Sequence, residues 1–231
     1  MLDSIILLDK PAGVTSAKAV ERVKRALGSR KAGHAGTLDP LATGLLIVGL
    51  NEGTKKLAEY LKLPKTYEAG ILLGKRTDTG DLEGKVIEEL EAGSSQLTER
   101  AVSEALEGMR GTLKLPVSPY SALKRGGEPL YKKARRGEAV EPVIRAMEVR
   151  SAELLGLSYS NVLQNISIRS LVFRVRFDVG SGTYIRSLAE ELGRRLGYPA
   201  TLASLRRTRI GEFDIKDATT LEELERKIAT A

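Results

Sequence analysis

The chain has no cysteine and a single histidine, His34, among its 231 residues. The first absence excludes disulfides and thiolate chemistry. Together the two exclude catalytic metal sites built from His and Cys clusters. No apolar run approaches the length of a membrane span, and the N-terminus lacks a signal-peptide pattern. The expected location is the cytoplasm, with no membrane partner. Nucleotide-binding loops are missing as well. Gly74-Lys75 is followed by arginine and lacks the upstream glycine of a phosphate-binding loop. Gly180-Ser181-Gly182 has Ile185 where a dinucleotide fingerprint needs its third glycine. The Asp78–Gly84 stretch resembles a calcium loop, but Gly80 and Leu82 stand where ligands belong. A Ser-His-Asp hydrolase would have to use His34, and no nucleophile-elbow pattern is present.

What is present is positive charge. Lysines and arginines number 37 against 30 acidic residues, a net charge of +7, with a pI near 9.5. Such an excess favours a polyanionic partner, nucleic acid ahead of membrane. A hydrophobic fraction of 42% and a charged fraction of 29% are ordinary for a soluble globule. The length suits one large domain or two small ones, with ample chain for a core.

Periodicity places the elements. Residues 5–8 read as a buried strand that delivers Asp9-Lys10-Pro11 into a turn. Ser16 is placed to cap a helix through Leu27, with Val20, Val23 and Leu27 on one face and Gly28 ending it. The run Leu45 to Leu50 reads as a buried segment, followed by a short helix over 54–61. Residues 67–73 and 85–90 read as strands joined into a hairpin by the turn-rich TDTGDLEG segment. Thr98 caps a helix whose inner stripe is Val102, Ala105, Leu106 and Met109. Residues 116–140 read as irregular and strongly basic, and 147–155 as a strand. The clearest strand is Phe173 to Val179, alternating apolar and charged residues. A helix follows with Ile185, Leu188, Leu192 and Leu196 at helical spacing and Gly197 just past its end. A last strand over 207–213 and a terminal helix over 220–228 complete the chain. Strands and helices do not alternate regularly, which predicts an α+β fold with a mixed, mostly antiparallel central sheet flanked by helices and loops.

The most unusual stretch is Gly33-His34-Ala35-Gly36-Thr37-Leu38-Asp39-Pro40-Leu41-Ala42-Thr43-Gly44. Three glycines and a proline surround one carboxylate, Asp39. Pro40 biases Asp39 towards extended geometry, which holds the carboxylate on a rigid turn. With metal, thiolate and nucleotide chemistry set aside, the remaining reading is a carboxylate acting without metal or cofactor.

Four further motifs accompany that loop: Leu8-Asp9-Lys10-Pro11, Lys65-Thr66-Tyr67, Arg76-Thr77-Asp78-Thr79-Gly80-Asp81 and Gly182-Thr183-Tyr184-Ile185-Arg186. In this order, with the Asp39 loop, they resemble the TruB family of RNA pseudouridine synthases, from about Leu7 to Phe213. The resemblance implies a single pseudouridine synthase catalytic domain over residues 1–231, with a basic, thumb-like RNA-binding loop at about 116–145. It implies isomerisation of uridine to pseudouridine in the T-loop of tRNA, at position 55, with no cofactor. By resemblance Asp39 is the catalytic aspartate, Tyr67 stacks on the target uracil, and Arg186 pairs with the aspartate. Asp78 would help hold that arginine. Lys10 and Leu205 match positions that help build the pocket, and Tyr184 of the Gly182–Arg186 motif is a candidate substrate- or RNA-binding residue. His34 matches the histidine that fills the stack vacated by the flipped base. Lys124, Lys132, Lys133, Arg135 and Arg136 align with the loop that grips the tRNA T-arm.

A carboxylate in this reaction can attack C1′ or C6, or act as a base at C2′, and the sequence leaves these routes open. Two departures stand out. Leu115-Pro116-Val117-Ser118-Pro119-Tyr120 replaces the family's glutamine and paired prolines. The chain also ends soon after Phe213, which leads to the expectation of a short form without the family's C-terminal PUA domain. The partner expected is the tRNA T-arm, with no obligate protein partner. Two other readings remain at this point: a guide-RNA-dependent catalytic subunit, and a non-catalytic RNA-binding or folding factor.

Overall fold

The computed structural model describes residues 4–90, 97–160 and 170–229. In chain order the elements are β1 (Ile5–Lys10), α1 (Ser16–Ala26), β2 (Ala32–His34), β3 (Thr43–Leu50), α2 (Leu57–Leu61), β4 (Lys65–Leu73), β5 (Lys75–Thr77), β6 (Val86–Glu89) and α3 (Glu99–Glu107). Then follow β7 (Gly111–Val117), β8 (Lys124–Arg125), β9 (Glu128–Pro129), α4 (Leu130–Arg135), β10 (Val143–Ser160), β11 (Ser170–Val179), α5 (Ile185–Leu196), β12 (Ala200–Ile210), β13 (Phe213–Asp214), β14 (Thr219–Thr220) and α6 (Leu221–Ala229). The fold is α+β with mixed, mostly antiparallel sheets, as expected. No described helix is long and apolar enough to cross a membrane. Two compact units form, residues 1–68 with 205–231, and residues 69–204.

The first unit is organised around β3. Its strand order is β14-β1-β3-β12, with β2 added to β3 and β13 to β12. The β1 strand runs antiparallel to β3 from Ile5↔Gly49 to Lys10↔Gly44, and β12 runs parallel to it through Arg206↔Thr43 and Arg207↔Gly44. Both faces of β3 are covered, which explains its unbroken apolar sequence. Leu46, Val48 and Leu50 join Val20 and Val23 of α1 and Leu221 and Leu224 of α6. Leu45 and Ile47 face the other way, with Ala35 and Ile210. Close approach of β12 constrains Gly44, whose φ is 103°. A Cβ there would run into the carbonyl of Arg207, so only glycine fits.

In the second unit β10 pairs antiparallel with β11 and β7, and α5 buries Leu188, Ala189 and Leu192. Gly197 ends α5 with a left-handed φ of 80°, the conformation expected of its glycine.

Several expectations need correction. The cap of α1 is Thr15, whose hydroxyl accepts from Lys18 N; the Ser16 hydroxyl is committed elsewhere. Residues 85–90 do not pair with 67–73. Gly74, with φ 91°, ends β4, and β6 pairs instead with β5 through Lys75↔Glu89 and Arg76↔Glu88. The last long strand begins at Ala200, not Arg207, and turns at Gly211 so that Phe213 pairs back on Ile210. Residues 116–140 are partly regular, since Lys124↔Pro129 and Arg125↔Glu128 form a small ribbon that leads into α4.

Candidate active site

In the first unit, the segment from Lys10 to Ser16 builds the seat of Asp39. The chain leaves β2 beside β3, with His34 opposite Val48 and Ala35 N donating to Ile47 O at 2.9 Å. Leu38, just before the aspartate, is buried. Its N–H donates to Ser16 Oγ at 2.8 Å, and the Ser16 hydroxyl donates to Leu38 O at 3.0 Å. Just after the aspartate, Pro40 O accepts from Gly13 N at 2.8 Å and from Lys10 Nζ at 3.5 Å. Lys10 is fully buried, and its ammonium also donates to Val14 O at 2.7 Å and Pro11 O at 2.8 Å. Asp39 O itself accepts from Ala42 N at 3.1 Å. The backbone is therefore fixed on both sides of Asp39, leaving its side chain half-buried. Lys10 thus has a buried, donating role that a turn lysine would lack.

Arg207, which the sequence reading missed, ties this loop to Tyr67. It is only 1% exposed, and Nε donates to Leu45 O at 2.7 Å while an Nη donates to Gly36 O at 3.0 Å. The other Nη lies 3.5 Å from Tyr67 Oη, and the guanidinium carbon is 6.0 Å from the centre of the Tyr67 ring. Leu205 is buried two residues earlier, and strand parity puts Arg207 on the same face as Leu205. That parity was the available signal. Burial and then the Arg207 charge hold the His34 imidazole below its ordinary pKa. The same two causes push the Lys65 ammonium down to about 8. His34 Nδ1 is buried with no hydrogen-bond partner. On the neighbouring residue, Arg206 makes a two-pronged pair with Asp9 at 2.7 and 3.1 Å.

In the second unit Arg186 is the second residue of α5, two positions after Tyr184, the half-buried N-cap residue. Arg186 is 6% exposed, and its guanidinium donates to Thr79 O at 2.8 Å and approaches Tyr120 O at 3.5 Å. One carboxylate beside it is Asp81, at 3.6 Å, whereas Asp78, expected to help hold the arginine, is turned to the backbone of its own turn. Turn geometry is the reason. Asp78 Oδ1 accepts from Lys85 N at 2.8 Å and closes the turn. Asp81 is held by the Thr79 hydroxyl at 2.7 Å and Glu83 N at 3.1 Å.

The basic stretch divides in two. Arg136 pairs with Glu128 at 2.7 Å and Glu138 at 2.6 Å, and these carboxylates raise its pKa. Arg125 pairs with Glu141 at 2.8 Å. Arg135 lies over the Tyr131 ring at 5.5 Å. Lys124 and Lys132 are exposed and Lys133 is half-buried.

An aspartate loop braced by buried cations thus lies near the buried Tyr67 ring in a cysteine-free basic chain, and the class, pseudouridylate synthase, follows from what the chain is similar to. Residues 24–185 match the TruB family pseudouridylate synthase N-terminal domain. Residues 186–231 match the tRNA pseudouridylate synthase B C-terminal domain. The chain belongs to the TruB family. It is 44% identical over 97% of its length to tRNA pseudouridine synthase B of Aromatoleum aromaticum, covering 68% of that protein. The corresponding figures for tRNA pseudouridine synthase B of Bordetella pertussis are 42%, 97% and 87%. A solved structure of an H/ACA RNP bound to a substrate RNA containing 2′-deoxyuridine aligns with a TM-score of 0.67 and 28% identity. That alignment covers 97% of this chain and 53% of the solved one, so the chain spans about half that neighbour's length.

Proposed function

We propose that this chain isomerises uridine to pseudouridine at position 55 in the T-loop of tRNA, acting without guide RNA or an obligate protein partner. The observation that carries the reading is the backbone of Asp39, fixed from both sides by Ser16, Gly13 and Lys10 in a chain of this family. The reaction breaks the N1–C1′ bond, turns the uracil while it is bound, and joins C5 to C1′. The C5 proton is lost and N1 gains one, so the product is an isomer and no redox carrier is consumed. Asp39 supplies the carboxylate that the bond exchange needs, as nucleophile or base. Tyr67, steadied by Arg207, offers an aromatic face for the uracil. Arg186 is the active-site cation of the Gly182–Arg186 motif, with Thr79 and Asp81 holding it in place. A base in a folded loop must leave its stack to react, at a cost of about a few kcal/mol, and His34 fills the gap.

The test is incubation of the purified chain with one unmodified tRNA transcript, followed by mapping of pseudouridine. Product at position 55 without added RNA or protein is expected, and absence of product at that position overturns the reading.

A further inference from the structure

A groove of about 430 Å³ opens in the first unit between α1 and β2, lined by Lys24, Arg30, Lys31, Gly33 and His34, among others. Three cations face one carboxylate there, Glu21, which lies 3.9 Å from Lys24. Arg30 and Lys31 are exposed, and among the described residues neither side chain makes an ion pair. The Glu52 carboxyl is lowered by Lys55 first and by Lys31 last. Arg125 and Arg136, by contrast, are already engaged by glutamates.

The backbone that carries these two cations is held by a strained residue. Asn51 has a φ of 46°, the only positive φ among described residues other than glycine. A non-glycine residue in that region costs on the order of 1–3 kcal/mol and persists only where surrounding structure enforces it. Here Asn51 Oδ1 accepts from both Arg30 N and Lys31 N at 3.2 Å, and Asn51 N donates to Lys31 O at 2.8 Å. The chain then enters β2, with Ala32↔Leu50, Gly33↔Gly49 and His34↔Val48 in register. Arg30 sits in a bend and Lys31 lies just before β2, so the two precede His34 by four and three residues.

We infer that Arg30 and Lys31, with Lys24 beside them, form a pre-ordered ledge that binds backbone phosphates of the RNA strand whose flipped base is replaced by His34. This rests on the function proposed above. Exposed cations side by side along an open groove suit the separated phosphates of a passing strand. A single small anion would call for converging, buried donors. Ordering the ledge before RNA arrives lowers the entropic cost of binding, which gives the Asn51 strain a purpose.

The experiment compares wild type, Arg30→Ala/Lys31→Ala and Asn51→Gly, measuring affinity for one unmodified tRNA transcript over a range of salt. Two lost phosphate contacts should reduce the slope of log affinity against log salt by about 1.4–1.8, and weaken binding at least about tenfold at 0.1 M salt. Asn51→Gly removes the acceptor, tolerates the φ and keeps every charge. It should weaken binding a few-fold with the slope intact. Both arginine and lysine side chains are exposed, so thermal melting of the double variant should match wild type; Arg30→Gln/Lys31→Gln repeats the measurement if it does not. Pseudouridine is mapped in the same wild-type samples. Product together with an unchanged slope in the double variant overturns the ledge alone and points to an occupant other than RNA, such as an acidic peptide. Absence of product overturns the functional reading, and the slope still decides whether RNA lies on the ledge.

Discussion

The two units secure their candidate site residues in opposite ways. In the first, buried cations do the holding: Lys10 and Arg207 donate to the carbonyls of Pro40, Val14, Leu45 and Gly36 around the Asp39 loop. In the second, the candidate residue is itself the buried cation, and Thr79 and Asp81 hold Arg186. A cation set among carbonyls fixes backbone, which suits a loop proposed to carry the reactive carboxylate. A cation set beside a carboxylate keeps its own head group in place, which suits a residue that must present charge. The difference predicts which substitutions disturb chemistry, which disturb shape, and which do neither.

Asp39→Asn should have the largest effect. It keeps the shape of the side chain and every backbone contact described above, but removes the charge. Single-turnover pseudouridine formation should fall by about 10³-fold or more, some 4 kcal/mol of transition-state stabilisation. Binding of unmodified tRNA should change by less than about tenfold, or ~1.4 kcal/mol, since phosphate contacts supply much of the affinity. A rapid-quench time course with enzyme in excess decides it, and ready product formation by the variant sinks the assignment of Asp39.

Arg207→Met comes next, and here shape should fail. The methionine fits a buried position but leaves Leu45 O and Gly36 O without their donor, at about 1–3 kcal/mol each. Removing the buried charge returns part of its desolvation cost, so a net loss of about 2–4 kcal/mol is expected in urea unfolding. A second readout separates electrostatics from packing. The chain has one histidine, so its imidazole gives a single titration by NMR. Loss of the neighbouring cation should move that midpoint up, while burial, the larger cause, keeps it below the ordinary value. A midpoint that does not move would mean that Arg207 exerts no field on His34.

The second unit offers a sharper contrast between neighbours. Asp81→Asn removes the carboxylate beside Arg186 and should cost about 1–2 kcal/mol in stability, with a parallel fall in kcat/KM. Asp78→Asn keeps an oxygen that can still accept from Lys85 N, so its cost should stay under about 0.5–1 kcal/mol. The opposite ranking would restore Asp78 as the residue that holds the arginine.

These contrasts also mark what the amino-acid order made legible. The alternation from Phe173 to Val179 and the spacing from Ile185 to Leu196 are local patterns, and both elements form where they were expected. The Asp39 loop was legible because glycine, proline and a lone carboxylate seldom gather without reason. What stayed hidden depended on contacts remote in sequence. Thr15 and Ser16 are equally good caps by type, and only the Leu38 backbone, 22 residues away, claims Ser16. Asp78 and Asp81 are both acidic residues of one turn, and the turn's own hydrogen bonds decide which reaches Arg186. The pairing of β6 with β5 rests on a left-handed Gly74, a conformation that the letter permits but does not require. Arg207 was harder still. Charged residues on strands usually face water, and its partners come from three other segments.

The smallest expected effect sets one titratable group of each unit against the other. Both units bury a group whose charged form is disfavoured: His34, lowered by burial and Arg207, and Glu190, raised by burial against the opposing pull of Arg76 and Arg186. Their linkages have opposite signs. For His34 the unfolded chain binds the proton more tightly, so stability is full above the unfolded pKa of 6.5 and falls as pH drops from there through the folded value. For Glu190 the folded chain binds the proton more tightly, so its contribution is full below 4.5 and declines as pH rises through the folded value. Acidification from neutral pH therefore costs the first unit and relieves the second. Glu190→Gln isolates the second half of that statement. An amide carries no charge to desolvate, so the variant should melt slightly above wild type at pH 7, and the gap should close by about pH 4, where Glu190 is itself protonated. The measurement is thermal unfolding of both proteins across that range at constant ionic strength. A variant less stable than wild type at pH 7 would show that the attraction of Arg76 and Arg186 outweighs the burial of the carboxylate, reversing the sign assigned to Glu190.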